Sequence, residues 1–158
     1  MPSKAATTLL RLPNVLYGVH LGWVLGNRFI QLTHTGRLSG RFYTVVLEIL
    51  RYNPDTRETI VMSGFGTKAN WYANIRSGRA AWIDKGHGPY RVNYRLLETE
   101  EAVSVLADYE RRIRLVRPLA GWVLGRLAAF DYHGTAADRR RRLVETLPLV
   151  AFTPIAEK

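Results

Sequence analysis

Cysteine is absent from this chain. That excludes disulfides, thiolate metal sites and a cysteine nucleophile, and leaves the cytoplasm as the expected compartment. Acid is scarce as well, with 13 Asp and Glu against 23 Lys and Arg, and none occurs before Glu48. Lys4, Arg11, Arg28, Arg37 and Arg41 precede it with nothing in sequence to offset them, so the amino-terminal third should attract anions. Lysine is almost missing: only Lys4, Lys68, Lys85 and Lys158 occur, and the rest of the basic excess is arginine, which suits forked, planar anion contacts. Long apolar runs are missing too. Residues 15–26 (VLYGVHLGWVLG) form an uncharged stretch of 12 residues with three glycines, whereas a bilayer-spanning helix needs about 20 apolar residues. The stretch reads as a helix packed on the core or lying at an interface, and no cleavage-site pattern follows that would mark a signal peptide.

What is present suffices for one folded unit. The chain has 158 residues, 47% of them hydrophobic, and a net charge of +10 with a pI near 10.4. That length and composition argue against a disordered basic tail and for a single domain over residues 1–158. Within it, residues 1–27 read as a helical segment and residues 99–146 as further helices. Strand signals rich in Val, Ile, Thr and aromatics fill residues 28–34, 42–52 and 59–63, joined by short turn-forming connections at 36–41 and 53–56 that favour antiparallel neighbours. A short helix over 69–76, strands over 80–84 and 90–97, a helix opening at Thr99 with Glu100 and Glu101, a third helix after Thr135, and a last strand over 149–153 complete the pattern. The fold class this predicts is α+β, built on an antiparallel barrel or sheet.

Two constellations could carry chemistry. Ser63, Gly64, Phe65, Gly66, Thr67, Lys68 and Ala69 match G-x-G-x-x-A between a strand and a helix, with Asp84 twenty positions after Gly64. Locally this is a dinucleotide fingerprint. The hairpin-linked strands before it contradict a Rossmann unit, and a helix over 69–76 would be only about 12 Å long at 1.5 Å per residue. A plain turn, or a phosphate or ring contact in another fold, remains. The second constellation is residues 33–41 (THTGRLSGR), where hydroxyls, glycines and Arg37 and Arg41 fall on one hairpin end, suited either to a phosphate or to ordinary surface exposure. The four histidines, His20, His34, His87 and His133, show no paired spacing, so no metal site and no Ser/His/Asp apparatus is expected.

The run LTHTGRLSGR at 32–41, the glycine loop, the segment Trp71-Tyr72-Ala73-Asn74-Ile75 and the closing LPLVAF at 147–152 together resemble the deazaflavin-dependent nitroreductase family over residues 14–154. The resemblance implies a split β-barrel with peripheral helices that binds coenzyme F420. It implies that the coenzyme's phosphate and oligoglutamate tail lies along the basic hairpin, with Arg37, Ser39 and Gly40 at the phosphate positions. The tricyclic ring would lie near Tyr43 and Thr44, beside a loop of Ser63, Gly64, Gly66 and Lys68, with Trp71 and Asn74 closing the site. Ser63 would help donate a proton, and Tyr109 and Tyr132 would face the substrate. The implied activity is hydride transfer from reduced deazaflavin to a small electron-poor acceptor such as a quinone or nitro compound.

The chain also departs from that pattern: Leu38 stands where many members carry Lys or Arg, Val45-Val46 where Thr-Pro is usual, and the loop from 63 to 71 is short. FMN is therefore the alternative cofactor, and a non-catalytic lipid, fatty-acid or membrane-surface binder of the same fold the alternative function. Glu48 is expected to face solvent from its strand. Arg139 to Arg142 occupy four consecutive helix positions and read as a solvated basic face, compatible with peripheral contact at the inner side of a membrane. No nucleic-acid reader motif is found, so no nucleic-acid partner is expected.

Overall fold

The computed structural model describes residues 28–113 and 136–155. The expected helical segment at 1–27, residues 114–135 of the expected helical stretch at 99–146, and with them Tyr132, lie outside them. Six strands, β1 (Phe29–Thr35), β2 (Phe42–Tyr52), β3 (Thr59–Met62), β4 (Ala81–Asp84), β5 (Tyr90–Leu96) and β6 (Leu149–Pro154), close into one antiparallel barrel in the order β1-β2-β3-β6-β5-β4. Closure removes every sheet edge. Among the described residues three α-helices accompany the barrel: α1 (Asn70–Arg76), α2 (Thr99–Ile113) and α3 (Ala136–Thr146).

The period-2 pattern decides which side chains fill the barrel. On β1, Ile30, Leu32 and His34 alternate with less buried neighbours, and pairing runs from Phe29↔Glu48 to Thr35↔Phe42. The interior cluster takes Ile30 and Leu32 from β1, Leu47 and Ile49 from β2, Val61, Ile83 and Val92, and Val150 and Phe152 from β6. α1 adds Trp71, Tyr72 and Ile75 to that cluster, with the Trp71 and Phe152 ring centroids 6.4 Å apart. A large aromatic placed this way contributes about 3–5 kcal/mol relative to alanine.

The alternate residues of the same strands face outward and are covered by helices. Leu50, Ile60, Leu149 and Ala151 pack with Ala102, Val105, Leu106 and Tyr109 of α2 and with Leu143 and Val144 of α3. The α2 positions recur at i, i+3, i+4 and i+7, one helical face. A register shift between Ile49 and Arg51 on β2 marks a bulge, and bulges add local bend and twist to a barrel strand. Arg140 pairs with Glu110 at 2.8 Å and Arg141 with Glu100, so these two arginines of α3 tie it to α2 instead of forming a purely solvated face. Among the described residues no helix is long and apolar enough to cross a membrane.

Candidate functional site

The β1–β2 connection folds back tightly. The Gly36 amide donates to the Arg41 carbonyl (2.8 Å) and the Gly40 amide to the Gly36 carbonyl (2.9 Å), with Gly40 at φ +67. Gly36 permits close approach: a Cβ there would lie 2.6 Å from Ser39 Oγ and 2.7 Å from Tyr43 Cε2. Ser39 Oγ also accepts from the Arg41 amide (3.3 Å) and shares a hydrogen bond with the Tyr43 hydroxyl (3.0 Å). Among the described residues the Leu38 and Ser39 amides have no acceptor, so the tip presents two unpaired donors beside the Arg37 side chain.

Asn74 of α1 anchors this tip. Its Oδ1 accepts from the Arg37 amide (3.1 Å) and from Arg37 Nη1 (3.0 Å), and its Nδ2 lies 3.0 Å from His34 Nδ1. The amide of one buried asparagine thus joins a helix, the inner face of β1 and the hairpin loop. His34 is 4% exposed and stacks on Tyr43 with ring centroids 5.9 Å apart. Burial holds its pKa below the ordinary value of 6.5, so the ring is neutral at pH 7.

Between hairpin, α1 and the loop after β3 lies a cleft of about 470 Å³, within the size range of small-molecule and cofactor sites. Of the residues singled out in the sequence, Arg37, Ser39, Tyr43, Thr44, Trp71 and Asn74 line it, together with His34, Leu38, Val45 and Phe65. Among the described residues no carboxylate lines it, and the guanidinium of Arg37 has only Asn74 as a partner there. Leu38 and Phe65 give the mouth an apolar rim, 91% and 61% exposed.

The other expected residues sit elsewhere in the local structure. Ser63 is fully buried: its hydroxyl donates to the Gly66 carbonyl (2.7 Å), and its amide to the Pro148 carbonyl (3.0 Å). Gly66, at φ +61, packs against the last turn of α3, where a Cβ would lie 2.7 Å from the Thr146 carbonyl oxygen. Lys68 is exposed at the end of a 3-10 turn (Gly66–Lys68), and Gly64 is partly exposed. Gly40 belongs to the hairpin turn without lining the cleft. Tyr109 lies in the outer cluster beside Glu48, which also pairs with Arg28 at 3.1 Å; burial, with Glu48 next to it, raises the Tyr109 pKa. Glu48 thus faces outward and is paired there. Asp84 closes the β4–β5 turn by accepting from the Gly86 (2.6 Å) and Gly88 (3.1 Å) amides, which accounts for the acid of the apparent dinucleotide fingerprint. Among the described residues no group of acids and histidines could hold a metal ion.

The sequence places His34 in the hairpin constellation without a role of its own, yet one signal for it is present: it is the polar member of an inward-facing alternation whose other members are Ile30 and Leu32. Phe65 was passed over between two glycines.

No protein-family model and no curated protein sequence matches the chain. Solved structures do. An F420-H2-dependent reductase, FDR-A, matches with a TM-score of 0.50 and 18% identity over 79% of this chain and 93% of its own. A structure described as a domain-swapped dimer matches with a TM-score of 0.52 and 18% identity over 95% and 99%. A Clostridium acetobutylicum protein of the pyridoxinephosphate oxidase family, related to general stress protein 26 of B. subtilis, matches with a TM-score of 0.50 and 8% identity over 90% and 84%. The fold is therefore the split β-barrel, in the α+β class, with peripheral helices.

Proposed function

We propose that the chain is an oxidoreductase of the deazaflavin-dependent reductase family, binding coenzyme F420 and passing hydride to a small electron-poor acceptor such as a quinone or nitro compound. The observation that carries this is convergence: residues of the hairpin and of α1 that the sequence points to line one cleft, with no carboxylate among its described residues, in a barrel whose fold an F420-H2-dependent reductase shares. The donor set fits the coenzyme. Arg37 and the unpaired Leu38 and Ser39 amides offer charge and N–H groups to a phosphate, while Trp71, Val45 and Phe65 offer apolar surface to a ring.

The coenzyme, when bound, supplies the hydride chemistry. The chain's own residues bind, orient and exclude water. Arg37, held from behind by Asn74, keeps further N–H donors for an anion. Ser63 acts through structure: its hydroxyl fixes the turn at Gly66 and thereby the wall formed by Phe65. Tyr109 supports α2 against β2, away from the cleft. The cysteine-free sequence supports a cytoplasmic protein, and its basic excess supports, as a further proposal, peripheral contact at the inner face of the membrane.

Titrating the purified protein with oxidised F420 and following coenzyme fluorescence tests the assignment. Quenching at micromolar coenzyme is expected, and Arg37→Ala should weaken binding at least tenfold, since a charge-assisted contact contributes about 1.5–3 kcal/mol. Absence of quenching in the unaltered protein refutes it. FMN is the alternative cofactor, read by the same titration. The apolar rim of Leu38 and Phe65 favours, as a second reading, a non-catalytic lipid or fatty-acid binder, which native mass spectrometry would reveal through co-purifying acyl chains.

A further inference from the structure

His34 has one ring nitrogen accounted for and one not. Asn74 Oδ1 already accepts two hydrogen bonds from Arg37, so the side facing His34 must be the Nδ2 amide, which can only donate. Nδ1 of His34 is then the acceptor, and in the neutral ring the proton resides on Nε2. Among the described residues Nε2 has no hydrogen-bond partner, although His34 is 4% exposed and lines the cleft. A buried donor left unpaired is costly and rare in folded proteins. The ring's stacking on Tyr43 and the fixed Asn74 amide prevent it from turning to find another partner.

We propose that His34 is a specificity-determining residue of the cleft: locked by Asn74 as the neutral Nε2–H form, it donates a hydrogen bond to a lone-pair oxygen or nitrogen on the edge of a planar ring bound there. The proposal rests on the reading that the cleft holds such a ring. A neutral donor favours ligands with a carbonyl or ring-nitrogen acceptor and rejects those presenting an N–H or a bare hydrocarbon edge at that point, because two facing donors leave both unpaired. It also polarises without giving up its proton, since loss from a neutral imidazole would leave an imidazolate. His34 is thus a ligand contact and not a proton source. The barrel supplies it by placing a polar residue on the one inward-facing position of β1 that reaches the cleft.

The test combines spectroscopy and titration on the full chain. Histidine-selective 15N spectra of the ligand-free protein at neutral pH should show His34 as the Nε2–H form, and saturation with oxidised F420 should move the Nε2 proton downfield. In fluorescence titrations with F420 and, separately, FMN, His34→Phe should bind at least tenfold more weakly than the unaltered protein, and His34→Gln, which retains an N–H at similar reach, should recover most of the loss. Urea unfolding of each variant shows whether it is folded. Unaltered protein that binds neither cofactor overturns the cofactor reading and the proposal with it. Unaltered protein that binds, with His34 on the Nδ1–H form or with His34→Phe binding equally well, overturns this proposal alone.

Discussion

Asn74 offers the sharpest test of how the site is held together. Replacing it with alanine removes three hydrogen bonds of 3.0–3.1 Å: two from Arg37, at a partly exposed position, and one to a buried histidine nitrogen. The Arg37 groups regain water, whereas His34 Nδ1 is left without a partner, so the loss should total about 2–4 kcal/mol. For a chain of this size that lowers the melting temperature by roughly 5–15 °C. Asn74→Asp separates the two halves of the arrangement. A carboxylate still accepts from Arg37 but cannot donate to Nδ1, so His34 turns to its Nδ1–H form, and the adjacent negative charge raises its folded pKa from the depressed value of the unaltered protein.

The pH dependence then changes between the two variants. In the unaltered protein burial depresses the His34 pKa, so the unfolded chain binds more protons, and the His34 contribution favours folding fully above pH 6.5 and fades as pH falls toward the lower folded value. In Asn74→Asp the carboxylate opposes the effect of burial, so less of the His34 contribution is lost as pH falls. Arg37, behind Asn74, and Tyr43, stacked on the ring, are the other ionisable groups facing His34, and both are shared by the two variants. Urea unfolding followed by tryptophan fluorescence at about pH 5.5 and about pH 8 should therefore show Asn74→Asp gaining on Asn74→Ala at the lower pH. Equal stability differences at the two pH values would refute the arrangement of donors and acceptors on which the argument rests.

Three further substitutions probe the surroundings. Gly36→Ala must push Ser39 and Tyr43 aside, at about 1–3 kcal/mol, and should weaken coenzyme quenching; an unaltered urea midpoint and affinity would show that the loop yields freely. Gly66→Ala combines a positive φ with a backbone oxygen 2.7 Å from the new methyl carbon and should cost about 3 kcal/mol or more, read as a lowered melting temperature or loss of folded protein; a loss below about 1 kcal/mol would contradict it. Arg95 bridges Glu58 (3.1 Å) and Glu101 (2.8 Å), and these partners raise its pKa, yet its side chain is 46% exposed. Solvent and salt screen such a network, so Arg95→Ala should cost no more than about 1 kcal/mol, and less in high salt; a loss above about 2 kcal/mol would assign the network a larger role.

The elements that hairpin chemistry and alternation define were legible in the sequence. β2 runs over the residues expected, and turn formers at 36–41 and 53–56 sit between paired strands. The helix face of Ala102, Val105, Leu106 and Tyr109 follows from spacing alone. Local pattern could not show which strands meet across the barrel, because β3 pairs with a strand some ninety residues later. For the same reason it could not show that His34 meets Asn74, forty positions apart in the chain. Nor does the sequence around Ser63 disclose burial; only the approach of α3 to Gly66 makes that loop a packed wall.

The position of β6 bears on how the barrel closes. It follows every other described strand in sequence, yet it pairs on one side with β3 and on the other with β5. Without β6 the strand order leaves a five-stranded sheet, β3-β2-β1-β4-β5, with two bare edges of the kind that pair with a neighbouring chain. A chain cut just before Leu149 would lose β6 alone and would leave the edges of β3 and β5 unpaired. The last described strand is thus the one that closes the barrel and covers both edges at once.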